Sequence, residues 1–205
     1  MLANMSVVEF LEQTASSAPV PGGGSVAALS GGIAAALTEM VANLTIGKKN
    51  YEEVEAEMKE VAEAAAKLRT KLAADIDRDS DAFNEVMAAF KLPKATDEEM
   101  AARKEAIQEA TKKAAIVPLE VAKDAFSMME IIEKVVVKGN KNAVTDGAVA
   151  AMMARTAVLS ALYNTKINLG SIKDQEFVAK VSAEVEALES KVGSVEQAIL
   201  AKVVL

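Results

Sequence analysis

Apolar residues recur at helical spacing along nearly the whole chain. Ser6 and Glu9 have the spacing of a capping box, and Val7, Val8, Phe10 and Leu11 follow on one side, which predicts a short first helix ending in the Ser16–Pro19 turn. After Pro21-Gly22-Gly23-Gly24-Ser25 the pattern predicts a helix of small residues from Val26 to about Ile46, stopped by Gly47. Val54, Met58, Val61, Ala65, Leu68 and Leu72 alternate spacings of four and three, the seam of a long third helix running from near Asn50 to Phe90. Thr96 and Glu99 form a second capping box, and the helix behind it is expected to kink or break at Pro118, resume through Val135 and end at Gly139. Asn140 to Thr145 reads as a loop, Asp146 to Asn164 as another small-residue helix closed near Gly170, and Asp174 as the cap of a last helix carrying Val178, Val181, Val185, Leu188, Val192 and Val195. Sustained seams joined by short turns, with no fixed repeat or linker, predict one all-α domain over 1–205, an antiparallel bundle of long helices.

Composition agrees. Hydrophobic residues make up 51% of the chain and aromatics 3%, so Ala, Val, Leu and Met must fill the core, and these side chains favour helices over strands. The net charge of −7 and the lack of a basic stripe or aromatic platform argue against a nucleic-acid partner. The uncharged run from Ser25 to Glu39 is too short to span a bilayer and reads as a core helix, so no membrane partner is expected. The start, Met1-Leu2-Ala3-Asn4, has no basic region or signal core, and a cytoplasmic location is the expectation. The 205 residues contain no Cys and no His, so acid–base chemistry falls to carboxylates, Lys, Tyr, hydroxyls or backbone groups, and no metal site is expected.

Three places break the plain bundle pattern. Gly22-Gly23-Gly24-Ser25-Val26-Ala27 matches a dinucleotide fingerprint in form, but no strand precedes it. It reads either as a tight turn with Ser25 as N-cap or as bare backbone that lets a ligand approach a helix start. In Asp75-Ile76-Asp77-Arg78-Asp79-Ser80-Asp81 the carboxylates alternate, yet the glycine of a calcium loop is missing and the helical pattern runs straight through. Extending the seam from Leu72 puts Asp79 on the buried stripe, where a carboxylate is either paired or functional; Asp81 points outward. The third place is Gly139-Asn140-Lys141-Asn142-Ala143-Val144-Thr145-Asp146-Gly147, where Asp146 reads as a cap, as do Asn164 and Asn168 at the far end of the same helix.

At these places the chain resembles the cyclodeaminase/cyclohydrolase family of folate enzymes, which includes the C-terminal domain of formimidoyltransferase-cyclodeaminase and stand-alone bacterial methenyltetrahydrofolate cyclohydrolases. The resemblance runs from about Val8 to the last helix. It is carried by Pro21 to Ala28, Thr45-Ile-Gly-Lys-Lys49 with Tyr51, Asp77 to Phe83, Leu92-Pro-Lys94, Val117-Pro-Leu119, Gly139-Asn140, Asp146 and Asn164 to Asn168. It implies a dimerising helical bundle that closes formimidoyltetrahydrofolate to the methenyl form with loss of ammonia, hydrolyses the methenyl form, or does both, with no cofactor beyond the tetrahydrofolate substrate. Asp79 and Asp146 are then the expected acid–base pair, with Asp77 a third candidate. Pro21, Gly22, Gly23, Gly24, Ser25, Lys48, Lys49, Tyr51, Gly139, Asn140, Asn164 and Asn168 are expected at the substrate, and Lys138 and Lys141 with the other lysines near its glutamate tail. The competing expectation is a non-catalytic helical interaction module whose polar spots are only caps.

Overall fold

The computed structural model describes all 205 residues, and every regular element in it is helical. In chain order these are α1 (Val7–Thr14), α2 (Gly23–Asn43), α3 (Glu55–Phe90), α4 (Asp97–Ser127), α5 (Met129–Lys138), α6 (Val144–Leu169) and α7 (Gln175–Leu200), with 3₁₀ turns at Leu2–Asn4, Glu52–Val54 and Lys141–Ala143. Local signals set several ends as expected. Ser6 and Thr96 each complete a capping box, and the Asp174 side chain accepts from the Phe177 N–H at 3.0 Å.

The centre of the bundle is α2, packed between α3 and α6. Its inward face is Gly, Ala, Ser and Thr, and small residues let the flanking helices come close. A Cβ built on Gly31 would lie 3.1 Å from Leu72 of α3 and 3.5 Å from Ala157 of α6. By length and mean hydropathy α2 would pass for a membrane span, but more than half of it is buried inside the bundle. The main core holds 30 buried residues, and Phe10 of α1 is its one buried aromatic.

Several expected boundaries shift. Helix α2 starts at Gly23 rather than Val26, so Ser25 is not an N-cap but the third helical residue; Gly22 takes the cap position and offers no side chain. The helix expected from Asp146 begins at Val144 and runs to Leu169, and the expected loop before it contains a 3₁₀ turn. Asp146 sits inside the first turn rather than capping it, and Asn164 and Asn168 are interior residues, with Gly170 at the C-cap. Helix α4 runs unbroken through Pro118; the break comes at Met128. Pro118 has no N–H for the carbonyl of Ala114 four residues earlier, and the Asn168 side chain supplies the missing donor at 2.9 Å.

Candidate functional site

Asp79 lies against the start of α2. The first backbone N–H groups there have no partner within the helix, and Gly22 offers no side-chain cap. The Ser25 hydroxyl donates to the Asp79 carboxylate at 3.0 Å, and the same oxygen lies 2.9 Å from the Ile76 carbonyl and 3.1 Å from the Ser80 hydroxyl. Burial pushes the Asp79 carboxyl above its ordinary range, and the hydroxyl and backbone N–H of Ser25 draw it part of the way back. A carboxyl so placed can hold a proton closer to neutrality than a free aspartate, which suits acid–base work.

Two glycines of the run are required by the protein's own packing. None of Gly22, Gly23 and Gly24 has a positive φ, and Gly23 and Gly24 are helical. What excludes side chains there is the protein itself. A Cβ on Gly24 would fall 2.0 Å from Asp79 Oδ1, and one on Gly23 would fall 3.0 Å from Asn164 Nδ2. The glycines therefore admit a carboxylate from α3 and a carboxamide from α6 to the first turn of α2. Pro21, buried beside them, and Gly22 lead into that turn.

Asp77 is one helical step away but differently employed: its carboxylate accepts the backbone N–H groups of Leu2 and Ala3 at 2.5 and 3.2 Å, pinning the N-terminal segment to α3. Asp75, only 2% exposed, was not among the sequence candidates. It is held by Lys71 at 3.3 Å and Arg78 at 3.2 Å, and Arg78 reaches on to Glu120 of α4 at 2.5 Å, a satisfied structural pair. Ser80 was also missed. Its one sequence signal is that it falls four residues after Ile76 on the stripe that continues from Leu72.

The remaining candidates gather at the other end of the molecule. The buried Asn140 donates its backbone N–H to Thr45 Oγ1 at 2.8 Å and its side-chain amide to the Leu44 carbonyl at 3.0 Å. The Tyr51 hydroxyl accepts from the Lys141 N–H at 3.0 Å. Gly139 is needed for closeness, since a Cβ there would lie 2.3 Å from the Val135 carbonyl. Lys138 is paired with Glu57 at 2.7 Å, whereas Lys48, Lys49 and Lys141 stay exposed. Asp146 is half-buried just beyond this latch.

A single chain holds Asp79 and Asp146, the expected acid–base pair, far apart. Gly23 lies beside Asn164 and Gly31 beside Ala157, so α2 and α6 run antiparallel. Continued along both helices, that register brings Asp146 level with Ala42. Gly24, against which Asp79 packs, and Ala42 are 18 positions apart, about 27 Å at about 1.5 Å per residue. Carboxylates that far apart cannot serve one reacting carbon. In a single chain the structure brings together Pro21 to Ser25, Asp79 and Asn164, and, separately, Lys48, Lys49, Tyr51, Gly139, Asn140 and Asp146. Asn168 stands with the first group but spends both amide protons on the Ala114 and Asn164 carbonyls.

Residues 6–187 match the family model described as formiminotransferase-cyclodeaminase. The chain belongs to that family. The methenyltetrahydrofolate cyclohydrolase of Methylorubrum extorquens is 44% identical over 199 residues, covering 97% of this chain and 96% of its own. Formimidoyltransferase-cyclodeaminase of Sus scrofa is 34% identical over 179 residues, which are 87% of this chain but 33% of that much longer protein. The crystal structure of formiminotetrahydrofolate cyclodeaminase from Thermotoga maritima superposes with a TM-score of 0.88 at 34% identity, over 99% of this chain and 98% of that one. Family membership and fold therefore agree with the helical architecture described above.

Proposed function

We propose that this protein is a one-carbon folate enzyme that hydrolyses 5,10-methenyltetrahydrofolate, as one helical domain over 1–205 working in the cytoplasm with no cofactor beyond its folate substrate. The single observation that carries this reading is the 44% identity, over nearly the full length of both chains, with the Methylorubrum cyclohydrolase. The 0.88 TM-score with the Thermotoga cyclodeaminase favours a second reading, ring closure of formimidoyltetrahydrofolate with release of ammonia. The two reactions ask for similar help. In hydrolysis, water attacks the methenyl carbon and a base takes its proton. In ring closure, N10 attacks the formimidoyl carbon, a base takes the N10 proton and an acid protonates the departing amine. Both involve a cationic amidine-like carbon that a nearby carboxylate stabilises. Asp79, desolvated and hydrogen-bonded by Ser25, is the group best suited to that work.

In this reading the active unit is a homodimer. Val26, Ile33 and Met40 on α2, Leu44 at its C-cap, and Val149, Met152, Tyr163 and Ile167 on α6 are exposed apolar residues on two neighbouring helices; Tyr163 is 68% and Ile167 74% exposed. A second copy packed on these residues about a two-fold axis perpendicular to α2 would run its own α2 in the opposite sense. The Asp79 end of one subunit would then meet the Asp146 end of the other, with Tyr51 and the exposed Lys48, Lys49 and Lys141 beside it to receive the substrate's carboxylate tail.

The deciding experiment follows absorbance of methenyltetrahydrofolate on adding the purified protein, beside a second assay for ammonia from formimidoyltetrahydrofolate. We expect loss of the methenyl chromophore well above its spontaneous rate. Ammonia release without accelerated hydrolysis would move the assignment to the second reading. Inertness toward both, with no rise in melting temperature on adding folates, would leave a helical interaction module instead.

A further inference from the structure

The hydroxyl of Ser25 has one proton and three oxygen neighbours within hydrogen-bond distance: the Ile76 carbonyl at 2.9 Å, Asp79 Oδ2 at 3.0 Å and Ser80 Oγ at 3.1 Å. The carbonyl can only accept, an ionised carboxylate can only accept, and the second hydroxyl can do either. Ser25 is fully buried, so water cannot complete the set. The arrangement therefore has two self-consistent forms. With Asp79 ionised, Ser25 donates to Asp79 and accepts from Ser80. With Asp79 protonated, the Asp79 O–H donates to Ser25, and the Ser25 proton turns to the Ile76 carbonyl, while Ser80 can keep donating to the other lone pair of Ser25.

We infer that Ser25 is a positioning residue whose hydroxyl reverses its hydrogen bond as Asp79 gains and loses a proton, holding the carboxyl in one place through both states of the acid–base cycle. No covalent bond changes inside the network. The proton Asp79 exchanges is the one taken from or returned to the substrate, and Ser25 only rotates. This rests on the reading of Asp79 as the acid–base group. It adds what such a group needs, a partner that can serve first as donor and then as acceptor without rebuilding the site. A fixed donor, such as the backbone N–H of Ser25, serves only the ionised form.

The charged groups around Asp79 pair elsewhere or stand exposed. On α3, Asp75 is held by Lys71 and Arg78, Asp77 by the Leu2 and Ala3 N–H groups, and Asp81 is exposed. Helix α2 has no charge before Glu39, which pairs with Arg69. On α4, Glu120 pairs with Arg78 and Lys113 with Glu85, and on α6 Lys166 pairs with Glu189. The N-terminal segment brings the Met1 amino group and Glu9, whose carboxylate caps its own helix at Ser6. Hydroxyl and amide hydrogen bonds, rather than a neighbouring cation, are thus left to balance the desolvation of Asp79.

The test reads Asp79 directly. In purified full-length protein carrying ¹³C-labelled aspartate, the Asp79 carboxyl resonance, assigned by its loss in Asp79→Asn, is titrated against pH. In Ser25→Ala the midpoint should move to higher pH, because the hydroxyl's bond to the charged carboxylate is stronger than its bond to the neutral acid. Ser80→Ala should move it the same way by less, and it supplies the answer should Ser25→Ala not fold. Ser30→Ala, which removes another buried hydroxyl of α2 bonded only to the Val26 carbonyl, should leave it in place. A midpoint unchanged or lowered in Ser25→Ala, or moved equally by Ser30→Ala, overturns the inference. The pH profile of methenyltetrahydrofolate turnover separates it from the underlying reading. An upward shift of both resonance and profile is expected, whereas a shifted resonance with an unmoved profile keeps the Ser25 exchange and removes Asp79 from the chemistry.

Discussion

Asp79→Asn is expected to lower turnover by about 10²–10⁴-fold, the usual effect of losing a positioned general base, while the protein becomes no less stable at neutral pH. The two halves have one cause. Burial raises the folded-state titration of Asp79 above the ordinary 3.8, so the folded protein binds its proton more tightly than the unfolded chain does. The stability this contributes is fully present below about 3.8 and is lost as pH rises through the raised folded value. Above that value the wild type has a partly desolvated charge that Asn lacks. The Asn carbonyl can still accept from the Ser25 hydroxyl and N–H, so the start of α2 keeps its cap. Melting temperature of the variant relative to wild type should therefore rise from about pH 4 upward and level off once Asp79 is ionised. Near-wild-type turnover in Asp79→Asn would make Asp79 a structural cap of α2 and no more. A variant less stable than wild type at every pH would show that the charge itself is needed at the helix start.

Gly24→Ala should cost turnover nearly as much, although Gly24 has no reactive group. Its new Cβ would stand 2.0 Å from Asp79 Oδ1, 2.5 Å from Cγ and 2.6 Å from Oδ2, distances no methyl group tolerates. The backbone there is helical, so Ala brings no strain and gains about 1 kcal/mol of helix propensity over Gly. The cheapest relief is rotation of the Asp79 side chain out of its place against Ser25. Circular dichroism should show the normal helix content, and turnover should fall toward that of Asp79→Asn. Because both changes remove the same group from the same place, the double variant should be scarcely worse than either single one. Full activity in Gly24→Ala would mean that the position of Asp79 seen here is not the working one.

What the residues revealed in advance follows the range of the signal. Capping at Ser6, Thr96 and Asp174 is written within four residues and was legible, as was the seam of α3 that carries Asp79 inward. Helices α2 and α6 are apolar or small on nearly every face, so pattern alone could not place their ends; that is why Ser25 looked like a cap and Asn164 and Asn168 like helix ends. Pro118 looked like a break because its remedy, the Asn168 amide, comes 50 residues later and is visible only once α4 and α6 are packed. The wide separation of Asp79 from Asp146 is likewise a property of the antiparallel register of α2 and α6, which no local motif records. The family motifs could name both carboxylates without showing that one chain keeps them at opposite ends.

A site that draws Asp79 and Asp146 from different chains would show itself in mixed dimers. Asp79→Asn and Asp146→Asn subunits, each nearly inactive alone, are combined in equal amounts, dissociated and allowed to reassociate. If a site draws Asp79 from one chain and Asp146 from the other, each mixed dimer regains one intact site and has one doubly impaired site. Random reassociation makes half of the dimers mixed, so the mixture should recover about a quarter of wild-type turnover. A mixture no more active than its separate components, with mixed dimers shown to have formed, would rule out the two-chain site.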